Sequence, residues 1–332
     1  MTRLVQIANG TTRAVALVEE PRLRLLEGAT SVVDLAGEAI RTGTRLSELV
    51  RRKCSTQTLE YDAVYNAQSP WRILPAIDFP GEPARCLVSG TGLTHLGSAK
   101  NRNAMHEASN AELTDSMKMF RWGVEGGKPA AGKAGVAPEW FFKGAGTVLR
   151  AHGEPLPVPF YGEDGGEEAE IAGIYIIDAD GNPRRIGMAM GNEFSDHKFE
   201  KRNYLYLAGS KIRPCSIGPE LVIDPDFQSV PGSARILRGG KDIWSKEIAT
   251  GEAEMCHSLA NIEHHHFKFE SHRRPGDVHV HFYGAVSLSF GDGIVLAEGD
   301  VMEVSWRNFG RALRNPLSVA RPSDTAIQAK PL

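Results

Sequence analysis

The sequence predicts an α+β chain, mostly β, with a small N-terminal α+β domain over residues 1–84 and a larger body over 85–332. Three observations carry this. Short β-type runs and a single helical period fill the first fifty or so residues and give way to a Pro-rich stretch from Pro70 to Pro83. From Arg85 onward β-type runs broken by Gly and Pro dominate, and long helical periods are scarce. The 332 residues suit one large domain, or a large and a small one, at roughly 100–200 residues per domain.

The elements follow in order. Arg3–Ala8, Thr12–Val18 and Arg22–Leu26 read as strands separated by two turn signals, Asn9-Gly10 and Glu19 to Pro21. Residues 31–52 place Val32, Val33, Leu35, Ala36, Ile40, Leu46 and Leu49 at helical spacing, interrupted at Gly43. Ser31 is the predicted N-cap, with Asp34 completing a capping box. Cys86-Leu87-Val88-Ser89 is a strand entering Gly90-Thr91-Gly92, and a polar segment, about 94–115, follows. Its few apolar residues bury little surface, so it is expected to be a mobile lid. Beyond the Gly/Lys/Ala-rich loop at 126–135, strands are expected at Glu170–Ile177, Arg185–Met190, Val278–Phe282, Ala285–Phe290 and Val301–Trp306.

Composition narrows the function classes. The chain is 41% hydrophobic and 24% charged, as ordinary globular proteins are. A formal net charge of −3 offers no basic field for nucleic acid. Apolar runs such as Ile174 to Ile177 are far shorter than the ~20 residues a membrane span needs, so neither nucleic acid nor membrane is an expected partner. Met1-Thr2-Arg3-Leu4-Val5 lacks the features of a secretory signal. Cys54, Cys86, Cys215 and Cys256 are widely spaced and form no CxxC pair, which points to a reducing, cytoplasmic setting.

The most informative segment is Glu167-Glu168-Ala169-Glu170-Ile171-Ala172. On a strand, residues i and i+2 share a face, so Glu168 and Glu170 stand side by side with Cβ atoms about 6–7 Å apart. Two like charges so placed are costly unless a cation lies between them. Carboxylate oxygens suit Mg²⁺, Mn²⁺ or Ca²⁺ better than zinc. Taken alone, the Gly-Gly-Glu-Glu stretch also reads as a solvated loop. A second polar burst follows a strand at Gly191-Asn192-Glu193-Phe194-Ser195-Asp196-His197, then comes Ser210-Lys211, then a turn at Pro275-Gly276-Asp277.

In order, Phe141-Phe142-Lys143, Glu168-Ala169-Glu170-Ile171-Ala172, Asn192-Glu193-Phe194-Ser195, Ser210-Lys211 and Pro275-Gly276-Asp277 resemble the motif series of the fumarylacetoacetate hydrolase superfamily. Each motif is weak alone; five in order across residues 85–315 are specific. The resemblance implies a mixed β-roll for the C-terminal domain. It also implies Mg²⁺ (or Mn²⁺) held by Glu168, Glu170 and Glu193, and a homodimer or higher homo-oligomer. A 2-keto acid substrate would chelate the metal, which as a Lewis acid stabilises the enolate left by C3 proton loss. Lys143 and Lys211 would bind the substrate carboxylate or enolate, or act as base if desolvated; for either, a solvated surface position is the alternative.

The chain departs from the pattern in three ways. Glu193 replaces the usual aspartate and is one methylene longer. Acylpyruvase-like members carry a His and a Glu on the lid; here those places hold Ser98 and Asn101, which argues against hydrolysis of a carbon–carbon bond. His106 and Glu107 lie farther along the same segment, and lid closure would bring them over the substrate as acid and base; the alternative is an exposed pair. Seven histidines fall between His257 and His281, which invites a zinc reading, but His279 and His281 on one strand face still lack a third ligand. By position after Pro275-Gly276-Asp277, either His281 or Tyr283 is expected to contact substrate. Ser98 and His197 complete the expected substrate-binding set.

Residues 91–99, 261–267 and 275–282 look like the sugar-acid branch of the superfamily, the 2-keto-3-deoxypentonate (2-dehydro-3-deoxyarabinonate) dehydratases. The implied reaction removes the C4 hydroxyl as water and yields 2,5-dioxopentanoate. A diketo-acid hydrolase using His106 and Glu107 is the enzymatic alternative. A non-catalytic 2-keto acid binding protein is the alternative from another class.

Overall fold

The computed structural model describes residues 1–106, 114–321, 323 and 325–332, and of residues 101, 102 and 104–106 the backbone only. Two sheets organise the chain. The larger has twelve strands, ten of them in the spatial order Cys54–Glu60, Arg22–Leu26, Thr12–Glu19, Thr2–Asn9, Cys215–Ile223, Pro183–Asn192, Ala169–Ile177, Val278–Phe282, Cys86–Gly92, Glu139–Ala145. The smaller runs Lys241–Thr250, Val230–Arg238, Val301–Trp306, Leu313–Val319, Leu156–Val158.

The N-terminal elements form where the sequence places them. Gly10 takes φ 57 in the first hairpin turn. Ser31 caps the helix Val32–Thr42 by accepting from the Asp34 amide, and Gly43 ends it at φ 63, a left-handed conformation cheapest for glycine. Leu46–Arg52 resumes as a second helix. The first strand pairs antiparallel with Cys215–Ile223, Leu4 opposite Leu221, so the strands of residues 1–84 continue the larger sheet of the body.

Alternation along the central strands decides what each face does. Ala172, Ile174 and Ile176 pack with Val32, Leu35 and Ala36 of the first helix; Ile171, Met188 and Met190 pack with Ala234, Val304 and Trp306 of the second sheet. Both faces are covered, and all nine residues of Ala169–Ile177 are buried. That explains why this strand reads as an apolar run rather than an alternation. The strand expected at Ala285–Phe290 does not form. Gly284, at φ 107, turns the chain off the sheet, and a 3-10 turn, Ser289–Asp292, begins where Ser289 donates its N–H and hydroxyl to Glu167, both at 2.7 Å. In the expected lid, Thr94 and His95 are buried, Leu96–His106 is a helix, and a second helix spans Asp115–Gly126. No described helix is long and apolar enough to cross a membrane.

Candidate metal centre

The hairpin Ala169–Ile177/Pro183–Asn192 sets Ala169 opposite Asn192 and Glu170 opposite Gly191. One step further, the Glu193 amide donates to the Glu168 carbonyl at 3.0 Å, so Glu168 and Glu193 face each other across the ladder. Like charges in that position destabilise a sheet. The chain keeps them there with Phe194 at φ 43, a conformation unfavourable for a non-glycine residue. Asn192 ties the turn, accepting from the amides of Glu168 (3.1 Å) and Phe194 (3.2 Å).

Glu168, Glu170 and Glu193 thus each present a carboxylate oxygen within 4.8 Å of the others, and all three are buried. Among the described residues they are the one group of three or more His, Cys, Asp or Glu with this spacing.

Two lysines meet the carboxylates. Lys143, on the strand Glu139–Ala145, pairs with Glu193 and donates to the Phe194 carbonyl at 3.1 Å. Lys211, ending the helix Leu207–Lys211, lies 2.5 Å from Glu168, 2.6 Å from Glu193, 2.9 Å from Ser195 Oγ and 3.5 Å from Glu200. Neither is on the surface: they are 0% and 1% exposed. The Phe141 ring lies 4.8 Å from the Lys211 ammonium. His197, the first residue of its helix, places Nε2 3.3 Å from Glu168. Gly284 donates its N–H to Glu170 at 2.7 Å.

Electrostatics separates the three acids. Burial opposes ionisation of Glu168, but Lys211 and His197 hold its carboxyl well below the usual range. Burial, with Glu193 and Glu168 as like-charged neighbours, pushes Glu170 well above it. Burial and Glu168 push Glu193 up against the pull of Lys143 and Lys211. A buried carboxyl that ionises reluctantly, next to two others, is what a divalent cation would relieve. The hard, all-oxygen donor set fits magnesium or manganese.

The remaining expected residues fall elsewhere. By alternation, His281 sits opposite Gly173 on the sheet face away from Glu170. Its ring accepts or donates at Ser89 (2.8 Å) and Thr91 (2.7 Å), within a buried group that includes His266 and His279. Tyr283 shares that face: its hydroxyl meets the Tyr175 hydroxyl at 2.5 Å, where a side chain on Gly173 would also lie. Neither therefore reaches toward Glu170, because the period of two puts odd-numbered neighbours on the far side. Ser98 donates to the His95 carbonyl at 3.0 Å in its helix's first turn. Glu107 and the side chain of His106 lie outside the described residues. Sequence reasoning missed Ser195, which donates to Glu193 at 2.9 Å, and Glu200, which accepts from Ser210 at 2.6 Å. Ser195 was within reach as part of the Asn192–Ser195 motif; Glu200 carried no signal.

No protein-family model and no curated protein sequence matches the chain. Solved structures do share its fold. A 2-keto-3-deoxyarabinonate dehydratase superposes with TM-score 0.72 at 18% identity, covering 96% of this chain and 99% of that one. A 2-keto-3-deoxy-D-arabinonate dehydratase complexed with magnesium and 2,5-dioxopentanoate gives 0.70 at 18%, with the same coverage. A 2-hydroxyhepta-2,4-diene-1,7-dioate isomerase from Mycobacterium marinum gives 0.56 at 15%, again over 96% and 99%. The chain has the fumarylacetoacetate hydrolase-like fold, α+β and mostly β, and it resembles the sugar-acid dehydratases in architecture.

Proposed function

We propose that this chain is a divalent-metal-dependent dehydratase that converts a 2-keto-3-deoxypentonate to 2,5-dioxopentanoate and water. The observation that carries the reading is the buried group Glu168, Glu170 and Glu193 with Lys143 and Lys211 packed against it. The shared fold with a dehydratase holding magnesium and 2,5-dioxopentanoate supports the choice of substrate.

Glu168, Glu170 and Glu193 would hold the cation, which supplies Lewis acidity for the enolate that forms when a C3 proton leaves. The chain's own residues do the rest. Lys211 and Lys143 bring ammonium groups to a dry site, where charge on a substrate carboxylate or enolate oxygen is stabilised far more than in water. Ser195 and Glu200 orient Lys211. His197 fixes the Glu168 carboxylate through its Nε2. His106 and Glu107 would serve as acid and base, and Ser98 as a substrate contact.

The test is product identity. Purified protein with Mg²⁺ is offered 2-keto-3-deoxypentonates of both C4 configurations and a set of acylpyruvates, and products are read by NMR. Formation of 2,5-dioxopentanoate, abolished by chelator and restored by Mg²⁺ or Mn²⁺, is expected. Pyruvate plus a carboxylic acid from acylpyruvates, with the sugar acids untouched, would establish a hydrolase instead. Binding of 2-keto acids with no turnover at all would establish a binding protein.

A further inference from the structure

We propose that Thr94 and His95 are positioning residues that couple the first turn of the helix Leu96–His106 to Glu170 of the metal group through one shared peptide unit. The coupling rests on the metal-site reading of Glu168, Glu170 and Glu193. Its centre is the peptide between Tyr283 and Gly284. On one side that peptide's N–H donates to Glu170 Oε2 at 2.7 Å. On the other, its carbonyl accepts the Thr94 hydroxyl proton at 2.8 Å. The strand Val278–Phe282 has just ended, and Gly284, at φ 107, turns the chain between the two partners.

The hydrogen bonds behind Thr94 have one consistent direction. A threonine hydroxyl has a single proton, and Thr94 gives it to the Tyr283 carbonyl. At 2.9 Å from His95 Nδ1, Thr94 Oγ1 is therefore the acceptor, and Nδ1 carries the proton. Burial pushes His95 down to about 4, so at neutral pH the ring is uncharged and its Nε2 is an acceptor. Nε2 takes the Thr250 hydroxyl proton at 3.1 Å. The relay runs from Thr250 to His95, Thr94, the 283–284 peptide and Glu170, each member donating toward the carboxylate.

Thr94, His95, Thr250 and Glu170 are all at most 2% exposed. In so dry a place, hydrogen bonds that point the same way polarise one another. A hydroxyl on the Tyr283 carbonyl thus strengthens the N–H that Glu170 receives. This matters most for Glu170, because burial and two like-charged neighbours oppose its ionisation, and the Gly284 N–H works against them. The glycine is also required: a Cβ on Gly284 would fall 2.0 Å from Thr94 Oγ1.

The same residues root the helix. Leu93, buried, has φ 54, an unfavourable conformation for a residue with a side chain. Its surroundings hold it there: the Cys256 amide donates to the Thr94 carbonyl at 2.9 Å, and the Cys256 thiol to the Leu93 carbonyl at 3.6 Å. The His95 carbonyl accepts from the Ala99 amide at 3.1 Å and the Ser98 hydroxyl at 3.0 Å, which opens the helix. A Cβ on Gly97 would fall 2.3 Å from the Val286 carbonyl, so the first turn lies directly on the chain leaving Gly284. Moving this root moves Thr94 against Tyr283 and changes the donor that Glu170 sees. Coupling of this kind is reciprocal: a cation on Glu170 steadies the peptide, and through Thr94 the helix root, before any keto acid arrives.

The experiment titrates Mg²⁺ alone, by calorimetry, into the wild type, Thr94→Val and Thr94→Ser, and follows amide exchange at residues 95–100 by mass spectrometry. Val keeps the shape of Thr without its hydroxyl, and Ser keeps the hydroxyl. Mg²⁺ affinity should fall about 3–10-fold in Thr94→Val, the net worth of one hydrogen bond, and recover in Thr94→Ser. A Thr94 that only packs would change stability and leave metal affinity alone. Exchange at 95–100 should slow on Mg²⁺ binding in the wild type and in Thr94→Ser, and respond less in Thr94→Val. In the wild type, imidazole ¹⁵N shifts should place the His95 proton on Nδ1, a reading that needs no variant to fold. Unchanged Mg²⁺ affinity in folded Thr94→Val overturns the coupling. So does a proton on His95 Nε2, or exchange at 95–100 indifferent to Mg²⁺ in a wild type that binds it. A wild type that binds no Mg²⁺ at all overturns the metal reading beneath it as well.

Discussion

Replacing Glu170 by Gln separates a metal ligand from a structural acid, because the two roles predict opposite effects on stability. In the protein without metal, the Glu170 carboxyl lies within 4.8 Å of Glu168 and Glu193. At an effective dielectric of ~20, two unit charges at that separation repel by about 3 kcal/mol. Burial and this repulsion raise its pKa well above the ordinary value of 4.5. The folded protein therefore holds this proton more tightly than the unfolded chain. Its contribution to stability is fully present below about pH 4.5 and is lost as pH rises through the folded pKa. Gln mimics the protonated form at every pH. The metal-free variant should match the wild type at pH 5 and exceed it at pH 8, by up to about 3 kcal/mol, roughly 1–2 °C in Tm per kcal/mol for a chain of this size. With Mg²⁺ the order reverses. A lost ligand should weaken binding at least tenfold, about 1.4 kcal/mol, and the metal-induced rise in Tm should shrink accordingly. Melting curves at pH 5 and 8 with chelator or Mg²⁺, alongside calorimetric titration, read both effects. An unchanged metal affinity in the variant, or a wild-type Tm indifferent to divalent ions, would refute the reasoning.

Other expectations follow from the same network and its neighbours. Lys211→Met removes a buried cation that touches Glu168 and Glu193 and should destabilise the metal-free protein by about 3–5 kcal/mol in urea titrations; a change under 1 kcal/mol would mean the site is wet. On the opposite sheet face, burial pushes His279 to about 4 and His281 to about 3, and burial with neighbouring imidazoles holds His266 well below 6.5. The unfolded chain binds these protons more readily, so stability should be complete above about pH 6.5 and fall as pH drops toward 4, near 1.4 kcal/mol per pH unit for each such group; His279→Gln should flatten that slope by one proton's worth. Gly173→Ala places a Cβ 1.8 Å from the Tyr283 hydroxyl and should cost about 1–3 kcal/mol, with metal binding unaffected since that face is not the site's. If 94–115 acts as a lid, amide exchange in Leu96–His106 should slow when Mg²⁺ and 2-oxobutanoate are added together; equal protection in both states would show a fixed helix.

Much of the fold was legible because it follows from local rules. Ser31 with Asp34, the Gly43 stop, the Asn9-Gly10 turn and the apolar runs at 170–177, 278–282 and 301–306 each carry their own signal within a few residues. So do Glu168 and Glu170, which alternation alone puts on one face, and the ordered motifs that include Glu193 and Lys211. Ala285–Phe290 misled because its residues favour a strand, whereas the chain's exit at Gly284 and the grip of Glu167 on Ser289 are long-range facts. What only tertiary structure decided is which faces meet. The hairpin register brings Glu193 across from Glu168. A helix some forty residues past Glu168 delivers Lys211. The parity of one strand turns His281 and Tyr283 away, and the strand Glu139–Ala145 brings Lys143 to Glu193. A sequence specifies alternation and caps because these depend on neighbours along the chain; register and strand order depend on contacts between segments far apart, and a shift of one residue would have sent each of these side chains to the other face.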